Sequence, residues 1–193
     1  MELQHRNRLN GEIGGVTRQA LRVSLHNPSL ARFFLKTLLH QRKAAVKREL
    51  WEKEGIHVPP FMIASITRRC NLNCAGCYAR AQRITDDREL SVSRLSELMD
   101  EAEELGFVFA LLAGGEPLTR PEILDVTESH PKIIFPLFTN GTLLKEQMLK
   151  RIAGQKNVIP VLSLEGLEAE TDSRRGTGVH RHLLQAMDRL KRK

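Results

Sequence analysis

All three cysteines of this 193-residue chain fall in one short run, Cys70-Asn71-Leu72-Asn73-Cys74-Ala75-Gly76-Cys77. Three residues separate the first pair and two separate the second. A disulfide framework uses an even count, and a closed structural zinc site uses four ligands. Three thiolates in one tight loop suit a cubane 4Fe–4S cluster, in which each thiolate takes one iron and the fourth iron stays open. An open coordination position is what a metal centre needs to bind and activate a small molecule. The competing reading is a zinc knuckle completed by a distant histidine, His57 or His130.

Around this run the chain divides by charge. The net charge is +7. Residues 1–57 hold 11 Lys and Arg against 5 Asp and Glu, whereas residues 58–193 are nearly balanced at 19 against 18. The sequence therefore predicts a basic helical extension over 1–57 and an α/β core over 58–193. In the extension, Val16, Ala20, Leu21 and Val23 have helical spacing, and Asn27-Pro28-Ser29 is a break with Asn27 or Ser29 as a cap. A second helix runs from about Leu30 to Glu54 and stops at Gly55. Its basic residues, Arg42, Lys43, Lys47 and Arg48, read first as the wet face of a lid or brace. An anionic membrane surface, nucleic acid or a phosphorylated substrate is the functional alternative. No apolar run reaches the length of a membrane span, and the stretch after Met1 lacks the apolar core of a signal peptide. Reduced thiols in such a loop fit a reducing cytosol, so a cytoplasmic location is expected.

Beyond Pro59-Pro60 the pattern alternates. Phe61–Ile66 is a short apolar run that reads as a buried parallel strand, and the cysteine loop follows it directly. Ser91 caps a helix with Val92, Leu95, Leu98, Met99, Ala102 and Leu105 on its apolar face, and Gly106 ends it. Phe107–Leu112 is the second strand. Pro121 opens a short helix ending near Ser129. Lys132–Phe138 is the third strand, with a bend at Pro136. Thr142 caps a helix carrying Leu144, Met148 and Ile152, which stops at Gly154. Val158–Leu164 is the fourth strand, and His180–Lys193 the last helix. Four β/α units in this order specify a parallel sheet with right-handed crossovers. The last strand would be left as an open apolar edge, so the sequence is expected to be a fragment or to rely on a second polypeptide for further strands.

The run from Ile66 to Tyr78, with its cysteine spacing and the aromatic after the last cysteine, resembles the signature of the radical S-adenosylmethionine (radical SAM) family. The likeness covers 58–193 and is nearest to the subgroup of molybdenum cofactor biosynthesis protein A and the peptide maturases. It implies a partial (β/α) barrel of about six units, of which this sequence supplies four. It also implies Cys70, Cys74 and Cys77 as ligands of a 4Fe–4S cluster and S-adenosylmethionine as the second cofactor. Gly114-Gly115-Glu116-Pro117 looks like the family's GGEP motif, whose backbone oxygens meet the amino group of S-adenosylmethionine. Thr139 and Asn140, in a Thr-Asn-Gly segment, correspond to cofactor contacts, as does Ser163 near the methionine or ribose end. Glu165 stands where relatives carry aspartate. Arg175, with Arg174 beside it, matches an arginine that pairs with the methionine carboxylate. Tyr78 corresponds to a ring against the adenine, or one covering the cluster.

Such an enzyme takes one electron from an external donor such as a ferredoxin or flavodoxin. It cleaves S-adenosylmethionine to methionine and a 5′-deoxyadenosyl radical, which abstracts hydrogen from a substrate that the sequence does not identify. With no cysteine after Cys77, the chain as given holds no further cluster of the kind many peptide maturases carry. Two other functions compete. One is a non-catalytic cluster-binding subunit that needs a partner chain. The other is a zinc-binding interaction module whose basic helices bind nucleic acid or membrane.

Overall fold

A computed structural model describes residues 27–81 and 89–192. The helix expected through Val16 to Val23 lies outside them. The chain forms two compact units, Met1–Arg42 and Lys43–Lys193. Helix α1, Pro28–Lys53, begins in the first unit. Asn27 is its cap: the Oδ1 atom accepts the Leu30 N–H at 3.2 Å and the Ser29 hydroxyl at 2.7 Å. Pro28 fits the first helical position, where a missing N–H costs nothing.

The second unit is built on β1 (Phe61–Thr67), β2 (Phe109–Gly114), β3 (Phe135–Thr139) and β4 (Val158–Leu162). They form one sheet in the order β1-β2-β3-β4, every pair parallel. Between them run α2 (Tyr78–Ala81), α3 (Val92–Leu105), α4 (Ile123–Ser129) and α5 (Glu146–Gly154), and α6 (Glu168–Arg175) and α7 (Val179–Lys191) follow β4. This is the expected α/β architecture of a partial (β/α) barrel with an N-terminal helix.

Burial alternates along the strands, as a pleated sheet covered on one face requires. Ile66, Ala110, Leu112, Phe135, Leu137 and Val158 face the helices and join Leu95 and Met99 of α3, Leu124 of α4, and Leu149 and Ile152 of α5 in one core. The opposite face holds Phe61, Ile63 and Ile159, which are 51%, 65% and 48% exposed. Thr127, Gln155 and Asn157 form a buried polar knot within the helical layer. The Thr127 hydroxyl donates to Gln155 Oε1 at 2.5 Å, and the Asn157 amide donates to the Thr127 carbonyl at 2.8 Å.

Several local expectations change. β3 begins at Phe135 rather than Lys132, with Ile134 contributing an isolated bridge to Phe109. Pro136 sits between that bridge and the Leu112–Leu137 pair, where it has no N–H to give to β2. β4 ends at Leu162, not Leu164. α4 starts two residues beyond Pro121, and α5 starts at Glu146 rather than after Thr142, whose side chain is engaged elsewhere. α2 and α6 were not expected at all.

α3 follows its expected bounds. The Ser91 hydroxyl accepts the Arg94 N–H at 3.1 Å, and Gly106 ends the helix at φ 96°. Arg48 and Lys47 of α1 donate to the Gly106 and Glu103 carbonyls at 2.5 and 3.3 Å. Two of the basic residues read as solvated thus serve the C-terminus of α3, where carbonyls lack helical partners.

Candidate cofactor site at the strand ends

The cysteine loop leaves the C-terminal end of β1 and is seated on the end of β2. The Gly115 N–H donates to the Thr67 carbonyl at 2.8 Å, and the Glu116 N–H to the Arg69 carbonyl at 2.7 Å. The two glycines make this approach possible. A Cβ on Gly114 would lie 2.3 Å from the Thr67 carbonyl oxygen, and one on Gly115 would lie 2.1 Å from that of Arg69. Neither separation is tolerable between non-bonded atoms. The glycine pair therefore has a structural task beyond ligand approach: it lets the loop lie against β2.

Above the strand ends is a cavity of about 210 Å3. Its wall contains Cys70, Cys74 and Cys77 together with Tyr78, Gly114, Gly115, Thr139, Asn140, Ser163 and Arg175. These come from the cysteine loop, from the ends of β2, β3 and β4, and from α6. Of the site residues expected from sequence, the side chain of Glu116 stands apart. It is 1% exposed and lies behind the wall. Its Oε1 accepts the Leu118 N–H at 3.1 Å and the Thr139 hydroxyl at 2.7 Å, and its Oε2 accepts the Asn140 N–H at 2.7 Å. Burial pushes its carboxyl above the ordinary glutamate range, and the three donors pull it back in part. The side chain braces the end of β3 from below.

Two clamps hold the cysteine loop. On the Cys70 side, the Asn140 amide donates to Asn71 Oδ1 at 2.9 Å, and the Asn71 amide donates to the Thr142 hydroxyl at 2.7 Å. On the Cys74 side, the Ala75 N–H donates to the Arg174 carbonyl at 2.8 Å, and Arg174 Nε returns a bond to the Ala75 carbonyl at 3.3 Å. Both arginines at the end of α6 pair with Glu165: Arg174 Nη1 reaches Oε2 at 2.5 Å, and Arg175 Nε reaches Oε1 at 2.9 Å. These bonds, Arg175's first, hold the Glu165 carboxyl below its ordinary range. Burial raises the Cys74 thiol, and the positive charge of Arg175 opposes that rise. Asp172 points the other way and accepts the Gly178 and His180 N–H groups at the start of α7, at 2.5 and 2.8 Å.

No local pattern assigns Asn71, Thr142 or Glu165 to these clamps. Asn71 carried no signal beyond its place next to Cys70, and Thr142 looked like a helix cap. Glu165 was visible as the acid in Ser-Leu-Glu-Gly, but its arginine partners lie in a helix that the sequence did not reveal.

Residues 64–193, more than half of the chain, match the family described as the Radical SAM superfamily. The chain belongs to the radical SAM superfamily. The Fe-coproporphyrin III synthase of Methanosarcina barkeri is 32% identical over 121 residues, which is 61% of this chain and 30% of that protein. The mycofactocin maturase MftC of Mycobacterium tuberculosis is 30% identical over 142 residues, 72% of this chain and 36% of that protein. The crystal structure of Streptococcus suis SuiB bound to S-adenosylmethionine superposes with a TM-score of 0.62 at 21% identity, covering 78% of this chain and 34% of SuiB. This chain spans about a third of the length of these relatives.

Three thiols on one wall are a donor set that fits the family's iron–sulfur cluster. Cys70, Cys74 and Cys77 are free thiols on one cavity wall. Among the described residues, no three Cys, His, Asp or Glu side chains are grouped as one metal ion would need. A cubane spreads its irons, so its thiolates need not converge on a point. The histidines named for a zinc knuckle are engaged elsewhere: His57 Nδ1 lies 2.9 Å from Glu52, and buried His130 contacts the Val126 carbonyl and Asp100 at 2.6 and 3.1 Å.

Proposed function

We propose that this chain is the cofactor-binding part of a radical SAM enzyme, with Cys70, Cys74 and Cys77 holding a 4Fe–4S cluster and the strand-end cavity receiving S-adenosylmethionine. The observation that carries this reading is the gathering of the three thiols with Gly114, Gly115, Thr139, Asn140, Ser163 and Arg175 around one cavity. When bound, the cluster supplies the electron that cleaves S-adenosylmethionine to methionine and a 5′-deoxyadenosyl radical. The rest is positioning by this chain. Arg175 offers a guanidinium to the cofactor's carboxylate, the backbone at Gly114–Glu116 offers oxygens to its amino group, and Thr139, Asn140 and Ser163 line its flank. Tyr78 lines one side of the cavity.

We place the enzyme in the reducing cytosol, with a small ferredoxin or flavodoxin as electron donor. The family likeness supports hydrogen abstraction from a peptide or a cofactor precursor. A second reading keeps the cluster but needs another polypeptide for turnover, and the bare apolar face of the sheet favours it.

Anaerobic reconstitution with iron and sulfide, followed by dithionite and S-adenosylmethionine, tests both. About four irons per chain and released 5′-deoxyadenosine support the first reading. A loaded cluster with no 5′-deoxyadenosine supports the second. A chain that takes up one zinc and no cluster overturns both.

A further inference from the structure

Asn140 lies deep at the end of β3, 6% exposed, with its amide held in one sense. The Thr142 backbone N–H can only donate, and it reaches Asn140 Oδ1 at 3.0 Å. The oxygen therefore faces Thr142, and the nitrogen faces the cysteine loop. The Thr142 hydroxyl donates to the same oxygen at 2.6 Å and accepts the Asn71 amide at 2.7 Å, while Asn71 Oδ1 accepts the Asn140 amide at 2.9 Å. Three side chains thus close a ring in which each donor meets an acceptor. The backbone beneath is fixed as well, since the Asn140 N–H is bonded to buried Glu116. What remains of the amide is aimed at sulfur: Nδ2 stands 3.9 Å from Cys70 Sγ, a long contact of the kind sulfur accepts. The Leu72 N–H approaches the same sulfur at 3.4 Å. Two N–H groups therefore face Cys70, while Cys74 lies in the field of Arg175.

We propose that Asn140, oriented by Asn71 and Thr142, is a positioning residue that donates to the Cys70 thiolate and raises the reduction potential of the bound cluster. The inference rests on the cluster reading above. Its physics is that of outer ligands in general. An N–H aimed at a ligand sulfur draws charge from it and favours the more negative, reduced cluster, so removing the donor makes reduction harder. A three-residue ring is a means of holding one amide to one sense, because a freely turning asparagine would present oxygen to the sulfur as readily as nitrogen.

The test is a redox titration of the anaerobically reconstituted full chain, followed by the electron paramagnetic resonance signal of the reduced cluster. Four proteins are compared: wild type, Asn140→Asp, Thr142→Val and Thr142→Ser. Aspartate keeps the shape of asparagine and cannot donate when ionised. Valine removes the hydroxyl that orients the amide but leaves Asn140 in place, and serine restores that hydroxyl. The expected result is a more negative midpoint for Asn140→Asp, a smaller negative shift for Thr142→Val, and the wild-type value for Thr142→Ser, all at unchanged iron content. A Thr142→Val midpoint equal to wild type, with iron intact, overturns the proposal, because the charge of aspartate alone lowers the midpoint of Asn140→Asp. If Asn140→Asp fails to load, the Thr142 pair decides alone: a valine shift reversed by serine supports the proposal, and no shift overturns it. A wild-type chain that binds no cluster instead overturns the cluster reading, and this inference with it.

Discussion

Glu116 shows how one side chain can serve a site from behind its wall, without touching a ligand. Its two carboxylate oxygens take three donors and leave no room for an amide nitrogen. Glu116→Gln sets an NH2 group against the Asn140 N–H or against Leu118 and Thr139. Leaving a buried donor unmet costs roughly 1–3 kcal/mol, and urea denaturation of the purified chain is expected to show that loss. Equal stability would mean that the carboxylate is not a brace. Gly115 lines the cavity and also seats the cysteine loop. Gly115→Ala brings a Cβ to 2.1 Å from the Arg69 carbonyl oxygen, so the cysteine loop must lift from β2. Iron uptake on reconstitution is expected to fall sharply. Gly154→Ala, with nothing within 4 Å of the added carbon, is the control and should load as wild type. Glu165 makes a prediction about pH. Arg175, then Arg174, depresses its native pKa. The native state therefore releases this proton at a pH where the unfolded chain still holds it. The stability that Glu165 contributes is present above the ordinary glutamate pKa of about 4.3 and is lost as pH falls through the native value. Melting temperatures of wild type and Glu165→Gln should differ at neutral pH and converge on acidification. Parallel curves would remove the ion pairs from the account.

At the scale of elements, α6 was the piece least visible in the sequence. Glu168–Arg175 offers one apolar residue, Ala169, so no periodic stripe announces it. What favours the helix is charge order: Glu168 and Glu170 in the first turn and Arg174 and Arg175 in the last complement its dipole. What fixes its end is Asp172, which reaches past the turn to the first N–H groups of α7. Asp172→Ala should therefore speed amide hydrogen exchange at Gly178 and His180 while leaving the strands protected. Unchanged exchange there would mean that α7 starts without this cap. By contrast, α3 was legible because its signals are local: a serine cap, a periodic face and a left-handed glycine. The strands were legible as short apolar runs bounded by turns. Their ends were not, because a strand ends where its neighbour stops pairing. The task of Thr142 is hidden from its neighbours in sequence for a similar reason. Its hydroxyl is taken by Asn140 and Asn71, and the Asn71 contact bridges 71 positions in sequence, which no local pattern reports. The cysteine spacing and the motifs at the strand ends identified the cavity wall. The clamps that hold that wall depend on contacts between segments far apart in the chain.

At the largest scale, the sheet is parallel throughout, and parallel sheets are normally covered on both faces. Among the described residues, the helices cover one face. The other carries Phe61 and Ile63 of β1 and Ile159 of β4, all about half exposed or more, and it runs upward into the cavity through Ala113 and Phe138. Apolar area of this kind attracts apolar partners when left in water. The purified chain should therefore bind the dye 8-anilinonaphthalene-1-sulfonate in its native state. The double variant Ile63→Thr and Ile159→Thr should dim that fluorescence, since threonine keeps the β-branched shape suited to a strand and replaces a hydrocarbon surface with a hydroxyl. Neither side chain is part of the buried core, so stability is expected to change by no more than about 0.5 kcal/mol per site. Neither lines the cavity, so cluster loading should match wild type. Undiminished fluorescence would place the dye elsewhere. Dimmed fluorescence with lost iron would mean that this face and the cavity form one unit, in which the lower sheet supports the seat of the cysteine loop.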